Sequence, residues 1–217
     1  MTGAHAKFAP SAADIWLVCA LYPTFAQRFP DTPTPASIRG TRKHHETARH
    51  LLVGNDAEAD DVQMCLDYVR ELPKPWRAER KVTIVEGKCW GTADFRSLRP
   101  KGMTVVDYKY GKKPVTATNN PQLILYGLGA LKEHPLPPTA NVDLVILQPN
   151  ASSGLPIKEW STPVRTLLDF RDEVEQAIER AERPNPQAVA GRHCYWCPGK
   201  LHCEAYLRMQ GANRSRG

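Results

Sequence analysis

The chain has 217 residues, of which 41% are hydrophobic and 24% are charged, and this composition indicates one globular unit with appendages. No apolar run is long enough to cross a bilayer, and residues 1–10 lack the basic-then-apolar layout of a secretory signal. We therefore expect a cytoplasmic protein without a membrane partner. The formal net charge of +6 is compatible with a polyanionic partner, although each basic cluster taken alone is typical of a solvated surface.

The N-terminal third carries helical patterns. A helix is predicted over 11–22, with a serine at its N-cap and a proline directly after it. Residues 29–37 are rich in proline and predict a loop, and 41–53 predict a second helix. A third helix is predicted over 59–72, because apolar side chains recur there on one face.

The pattern then changes to that of a sheet. Three strands in a meander are predicted over 80–87, 88–98 and 102–111, joined by short polar or glycine-containing turns. A helix over 120–133, a continuously apolar strand over 141–149 and a helix over 164–183 follow. This order indicates a mixed α/β core with helical decoration.

The end of the third strand carries paired charges. Asp107 and Lys109 point the same way because alternate side chains of a strand share a face. Alone, this pair would be interpreted as a surface salt bridge. Asp94 lies on the preceding strand, however, and two carboxylates on adjacent strands repel each other unless a cation lies between them. A hard divalent ion held by Asp94, Asp107 and the Tyr108 carbonyl, with Lys109 beside it, would support phosphodiester hydrolysis.

Two weaker signals flank these strands. Gln122 and Tyr126 are four residues apart and so share one face of a helix, where they could position substrate or Lys109. His44 and His45 lie in the second helix, and an imidazole could complete a metal shell. A solvated helix face is the alternative interpretation of the two histidines.

The ordered set of motifs resembles a known nuclease family. Gly40 and His44, Gly91 and Asp94, Asp107 and Lys109, and Gln122 and Tyr126 are similar to the motifs of the RecB-like exonuclease branch of the PD-(D/E)xK superfamily. The resemblance implies a restriction-endonuclease-like mixed central sheet flanked by helices. It also implies that His44, Asp94, Asp107 and the Tyr108 carbonyl bind Mg²⁺ or Mn²⁺, and that Lys109 is catalytic. The spacing from Gly40 selects His44 over His45, and Glu46 is the nearest candidate for an additional acid.

Cysteines at both ends of the chain form a second predicted site. Cys194, Cys197 and Cys203 have the spacing C-x2-C-x5-C, one ligand short of four, and Cys19 is the candidate for the fourth. Thiolate sets suit zinc and iron–sulfur clusters alike. His193 and His202 are alternative ligands for zinc. Cys65 and Cys89 are predicted to be core residues.

The cysteine arrangement resembles the iron–sulfur subgroup of the same family. In that subgroup, which includes AddB, the CRISPR-adaptation nucleases and phage-encoded members, one cysteine before the nuclease motifs and three after them hold a 4Fe–4S cluster. The resemblance implies this cluster, rather than structural Zn²⁺, on Cys19, Cys194, Cys197 and Cys203. It divides one nuclease domain into a helical part (1–75), a nuclease core (79–183) and a cysteine tail that packs on the N-terminal helix (184–217).

Two functions remain open at this stage. The first is a Mg²⁺- or Mn²⁺-dependent deoxyribonuclease, an exonuclease on single strands or duplex ends in recombination, repair or replication of a bacterium or phage. Asp94, Asp107, Lys109, Gln122 and Tyr126 would be its catalytic residues, and a recombinase or helicase its companion. The alternative is a non-catalytic, metal-stapled DNA-binding accessory protein. The intact set of two acids and a lysine argues against the alternative.

Overall fold

A five-stranded mixed sheet lies at the centre of the protein. The structure is a computed structural model that describes residues 6–29 and 33–214. The strands are β1 (Trp76–Val85), β2 (Cys89–Arg99), β3 (Gly102–Tyr108), β4 (Asn141–Leu147) and β5 (Ile157–Pro163). They are ordered β1-β2-β3-β4-β5, and each neighbouring pair is antiparallel except β3 and β4. The predicted meander, the apolar strand and the α/β class are confirmed, although β1 begins four residues before its predicted start and β3 ends three residues before its predicted end.

Strand β5 is an edge strand that the sequence pattern does not reveal. It pairs along β4, with Ile157 opposite Leu147 and Pro163 opposite Asn141. Its residues are mostly half-buried or exposed. Edge strands commonly carry charged residues and proline, which discourage pairing with another chain. Hydropathy therefore does not distinguish such a strand from a loop.

Seven α-helices surround the sheet within the described ranges. They are α1 (Ala13–Trp16), α2 (Tyr22–Phe25), α3 (Pro35–Val53), α4 (Asp60–Glu71), α5 (Pro121–Glu133), α6 (Val164–Glu182) and α7 (Glu204–Arg214). The helices predicted over 59–72, 120–133 and 164–183 are confirmed within one residue at each end. None of the helices in the described ranges combines the length and apolar character that a membrane crossing requires.

The helix predicted over 11–22 is wrong as a continuous element. The chain instead forms a 3-10 turn at Pro10–Ala12, then α1, a bend, and α2. The Trp16 indole N–H donates to the Ala9 carbonyl at 2.9 Å and fixes this compact arrangement. Pro23 lies in the first turn of α2, where proline is tolerated, and does not end a helix.

Helix α3 begins six residues before the predicted start at 41, inside the predicted loop. Thr34 is its N-cap and accepts the Ser37 N–H at 3.1 Å, and Pro35 occupies the first turn. Gly54, with φ of +82°, closes the helix in the left-handed conformation that glycine adopts without strain. The loop prediction at 30–32 and the tail residues 215–217 lie outside the described residues.

Helices cover both faces of the sheet. α5 and α6 pack with α1 on one face, in a core that includes Met103 and Val105 of β3. α4 and the end of α3 pack on the other face, in a core that includes Val106 of β3. Cys89 and Cys65 are buried in these two cores, respectively, as predicted. Polar side chains that emerge where β2 and β3 end can therefore receive partners from both helical layers.

Candidate functional site

The two predicted acids lie where β2 and β3 separate. The strands pair from Arg99 opposite Gly102 to Phe95 opposite Val106, and the next residues in register are Asp94 and Asp107. At this point Asp94 Oδ2 accepts the Tyr108 backbone N–H at 2.8 Å. The Asp94 carboxylate thus occupies the opening between the strands.

A group of three metal-ligating side chains converges at this opening. His44 of α3, Glu79 of β1 and Asp94 of β2 each place one ligand atom within 4.8 Å of the other two. His44 Nδ1 lies 3.1 Å from Asp94 Oδ1, and its ring centroid lies 5.1 Å from that of Tyr108. Two carboxylates and an imidazole suit a divalent metal ion. Of the two adjacent histidines, His44 belongs to this group and His45 is exposed.

Glu79 is a site residue that the sequence analysis did not identify. Its φ of +48° is uncommon for a residue other than glycine, and it interrupts the pairing of β1 with β2 between Ala78 and Arg80. Beyond this point β1 changes faces: Ala78 packs in the core under α4, whereas Val82 packs in the core under α5. Such backbone outliers cluster at functional sites. The β1–β2 hairpin register, with Val82 opposite Gly91, is the signal that would have placed Glu79 opposite Asp94.

The second predicted cluster lies beside the first. Lys109 Nζ is 2.8 Å from Asp107 Oδ2 and donates to Gln122 Oε1 at 2.7 Å. The Gln122 amide nitrogen donates to Asp107 Oδ1 at 2.9 Å and to the Tyr126 hydroxyl at 3.2 Å. The N-terminus of α5 presents Gln122, because the Asn120 side chain caps that helix by accepting the Leu123 N–H. The structure therefore brings together Asp107, Lys109, Gln122 and Tyr126.

Burial and mutual repulsion disfavour the charged forms of the carboxyl groups in the two clusters. Burial and the charge of Asp94 raise the pKa of Glu79 to about 7, against the opposing effect of His44. Burial also raises the pKa of Asp107. The charge of Lys109 acts to lower this pKa, and the charge of Asp94 acts to raise it further. Asp94 and Asp107 therefore lie close enough to repel each other, as the sequence predicts, and a cation between them would relieve that repulsion.

Two basic groups respond to the same charges. Burial lowers the pKa of His44, but its hydrogen bond to Asp94 and the charges of Asp94, Asp107 and Glu79 outweigh burial, and the net pKa is raised. Burial likewise lowers the pKa of Lys109, but Asp107 outweighs burial and leaves the lysine pKa raised. Lys109 is therefore a cation at neutral pH.

The remaining predicted groups occupy supporting positions. Tyr108 contributes its backbone N–H to Asp94, while its ring is buried in the core under α4. Glu46 lies 3.6 Å from Lys43 Nζ as an ion pair, and that lysine also binds Asp61 at 3.2 Å. Glu46 is thus engaged within the α3–α4 layer.

The four predicted cysteines line one enclosed cavity. Cys19 follows α1, Cys194 lies in a 3-10 turn at Arg192–Trp196, Cys197 follows that turn, and Cys203 precedes α7. Burial raises the pKa of the Cys197 thiol, and the other three sulfurs are near enough to raise it further. Gly199 allows the tail to approach the N-terminal segment closely, because a Cβ atom at this position would lie 2.5 Å from the Phe29 ring. Sulfurs from both ends of the sequence therefore meet, as the spacing suggested.

The two histidines beside the cysteines are held by contacts of their own. The alternative ligands have other partners: His193 Nε2 bonds the Val189 carbonyl at 2.8 Å, and the His202 ring stacks on Phe29 at 5.0 Å.

Comparison with known proteins places the chain in a family. The model of a family described as "Protein of unknown function (DUF2800)" matches residues 77–213, which include β1 to α7. The chain belongs to the DUF2800 family. Among solved structures, the crystal structure of SSO0001 matches this DUF2800 chain with a TM-score of 0.50, at 15% sequence identity. The match covers 90% of this chain and 85% of SSO0001, and it shows a shared fold.

Proposed function

We propose that this chain is a Mg²⁺- or Mn²⁺-dependent DNA nuclease with a RecB-like PD-(D/E)xK active site. The observation that carries the proposal is the junction of two clusters at the β2–β3 opening. His44, Glu79 and Asp94 form a metal-ligating group, and Asp107, Lys109 and Gln122 form a hydrogen-bonded group next to it. A surface salt bridge would not require a buried acid, a lysine and an amide that satisfy one another.

The ligand atoms fit a hard divalent ion. The Oε1 atom of Glu79 is buried and has no hydrogen-bond partner in the described structure, so an uncompensated acceptor faces the group. His44, Glu79, Asp94 and Asp107 would hold the ion. When bound, Mg²⁺ or Mn²⁺ supplies Lewis-acid stabilisation of a phosphate and lowers the pKa of a water.

The chain's own residues supply positioning and charge. Gln122 holds the Lys109 ammonium through its carbonyl oxygen and Asp107 through its amide nitrogen, which fixes both groups. Lys109 would orient the attacking water and stabilise the negative charge that develops on the phosphate oxygens. The water oxygen then bonds to phosphorus and gives up a proton, the P–O bond to the leaving nucleotide breaks, and a proton is returned to the leaving oxygen, so that one water is consumed. Tyr126 is buried and accepts a hydrogen bond from the Gln122 amide, so it would act by positioning Gln122.

The test is cleavage of labelled single-stranded and duplex DNA with Mn²⁺ or Mg²⁺. We expect the wild type to degrade DNA and Asp107→Asn to lose at least about 100-fold in rate, because an amide cannot replace a metal-binding carboxylate. Asp143→Asn is the matched control, since Asp143 is also an acid on a central strand but pairs with Arg99 at 2.7 Å. DNA binding without cleavage under any divalent ion would contradict the proposal and favour the accessory protein.

We further propose that Cys19, Cys194, Cys197 and Cys203 hold a 4Fe–4S cluster that ties the tail to the N-terminal segment. Four cysteines from both ends of the chain line one cavity, which supports a group held by four thiolates, and the resemblance to the iron–sulfur subgroup favours the cluster over zinc. Anaerobically purified protein should absorb near 400 nm and contain about four irons and four sulfides per chain. A colourless protein with one zinc per chain would contradict this assignment and leave the nuclease proposal untouched.

A further inference from the structure

Two exposed aromatic side chains lie between the cysteines of the tail. Tyr195 and Trp196 are 61% and 62% exposed, and their ring centroids are 4.7 Å apart with the rings nearly perpendicular. They lie between Cys194 and Cys197, whose sulfurs face the enclosed cavity. The cysteine cavity therefore lies behind the turn while the two large rings remain in solvent. A fixed, exposed aromatic pair is typical of a binding surface.

Lysines lie against the same rings. Lys113 Nζ is 5.1 Å from the Tyr195 ring centroid and 5.2 Å from that of Trp196. Lys200 Nζ is 5.0 Å from the Tyr195 ring centroid. These contacts are cation–π interactions at an exposed site. The rings and lysines thus form one aromatic, positively charged surface.

This surface is continuous with the proposed active site. Trp196 and Lys113 line the same groove as Lys109 and Gln122, and the groove has a volume of about 650 Å³. Asp14 is the one carboxylate among the described residues that line it. The groove therefore connects the catalytic lysine to the exposed rings through a mostly neutral or positively charged wall.

We propose that Tyr195 and Trp196 form a stacking platform for bases of a single-stranded polynucleotide whose phosphates follow Lys113 towards Lys109. A single strand is the fitting occupant because its bases expose their faces, whereas a duplex buries them. Lys113 leaves the rings when a base stacks there and binds a phosphate instead. The cysteine site then has a function in substrate binding, because it orients the turn that carries both rings. This inference rests on the proposed function in one respect, that the bound strand runs from the rings towards Lys109.

Binding without cleavage tests the platform. In an Asp107→Asn background, anisotropy of a labelled oligo(dT) is compared with that of a hairpin duplex of equal charge. We expect Trp196→Leu to weaken oligo(dT) binding about tenfold, because the variant loses the stacking of a base on the indole ring. Trp196→Phe should retain most of the affinity because it keeps a ring. Duplex affinity should change less than about twofold in either variant.

Controls separate stacking from charge and from folding. Trp90→Leu removes a ring that also lies under a lysine, Lys81 Nζ at 4.4 Å, but does not line the groove, and it should have no effect. Lys113→Met should reduce the slope of log affinity against log salt by about one. If Trp196→Leu loses its cysteine-bound metal, Tyr195→Leu and Trp196→Phe decide the question. The same measurement with oligo(U) shows whether the surface prefers deoxyribose or ribose. Binding of either polymer that depends on Trp196 supports the platform.

Three results would overturn the inference. These are unchanged oligo(dT) affinity in both leucine variants, equal losses for single strand and duplex, or a loss in Trp196→Phe as large as in Trp196→Leu. Because affinity is measured without cleavage, the platform and the nuclease can fail separately. A wild type that binds oligo(dT) through Trp196 but never cleaves would refute the proposed function alone.

Discussion

Replacing Glu79 with glutamine should stabilise the metal-free protein while weakening its metal site. In the folded protein, burial and then Asp94 raise the pKa of Glu79 from 4.5 to about 7. The folded state therefore binds this proton more tightly than the unfolded state does. Stability falls as pH rises from about 4.5 to about 7, and the full destabilisation is present above pH 7.

The magnitude follows from the same pKa. A rise from 4.5 to about 7 corresponds to about 3 kcal/mol, and the partial solvent access of Glu79 reduces this to about 2 kcal/mol. Glutamine has the same shape and does not ionise. At pH 8 without divalent ions, Glu79→Gln should raise the free energy of unfolding by about 2 kcal/mol. The difference should shrink as pH falls towards 4.5.

Urea denaturation at several pH values, with and without Mn²⁺, measures both effects. Saturating Mn²⁺ at about 100 times its dissociation constant should stabilise the wild type by about 2.7 kcal/mol. The variant should gain less, because it has lost a ligand. Glu86→Gln, in the exposed turn between β1 and β2, is the control and should behave as wild type. A metal-free variant that is less stable than wild type at pH 8 would refute the reasoning, as would equal stabilisation by Mn²⁺.

Three further outcomes are expected. Lys109→Met should lower the cleavage rate by about 10²–10⁴-fold, because the lysine acts on the attacking water and the phosphate. Mn²⁺ binding, measured by calorimetry, should persist, and its loss would contradict that role. Gly129→Ala should lower the free energy of unfolding, measured in urea, by about 1–3 kcal/mol, because the new Cβ would lie 2.7 Å from the Val82 Cβ. Gly211→Ala is the control and should not destabilise the fold, since no atom lies within 4 Å of its new Cβ. Cys203→Ser should remove absorbance near 400 nm and expose the tail to limited proteolysis, and an unchanged spectrum would exclude Cys203 as a ligand.

Much of the candidate site follows from strand alternation and helical spacing. Asp107 and Lys109 share a face because they are two residues apart in an extended chain, and Gln122 and Tyr126 meet because they are one helical turn apart. The position of Asp94 follows from the antiparallel register of β2 and β3. These are local rules, and they hold where pairing is regular.

The remaining features depend on irregular backbone and on tertiary packing. Glu79 joins the site through its own left-handed backbone conformation and a gap in the β1–β2 pairing, and only the hairpin register, once it is known, places Glu79 opposite Asp94. The helix predicted over 11–22 is divided, because burying Trp16 and turning Cys19 towards the tail offset the local helical preference. Tertiary contacts override propensity at these positions.

The central claim is that one divalent ion joins the two clusters at the β2–β3 opening. Anomalous diffraction at the manganese edge from crystals soaked in Mn²⁺ tests it directly. The account predicts one strong peak bonded to both Asp94 and Asp107, with His44 and Glu79 as further ligands. A peak elsewhere, or no peak while the carboxylates keep their present partners, would contradict it.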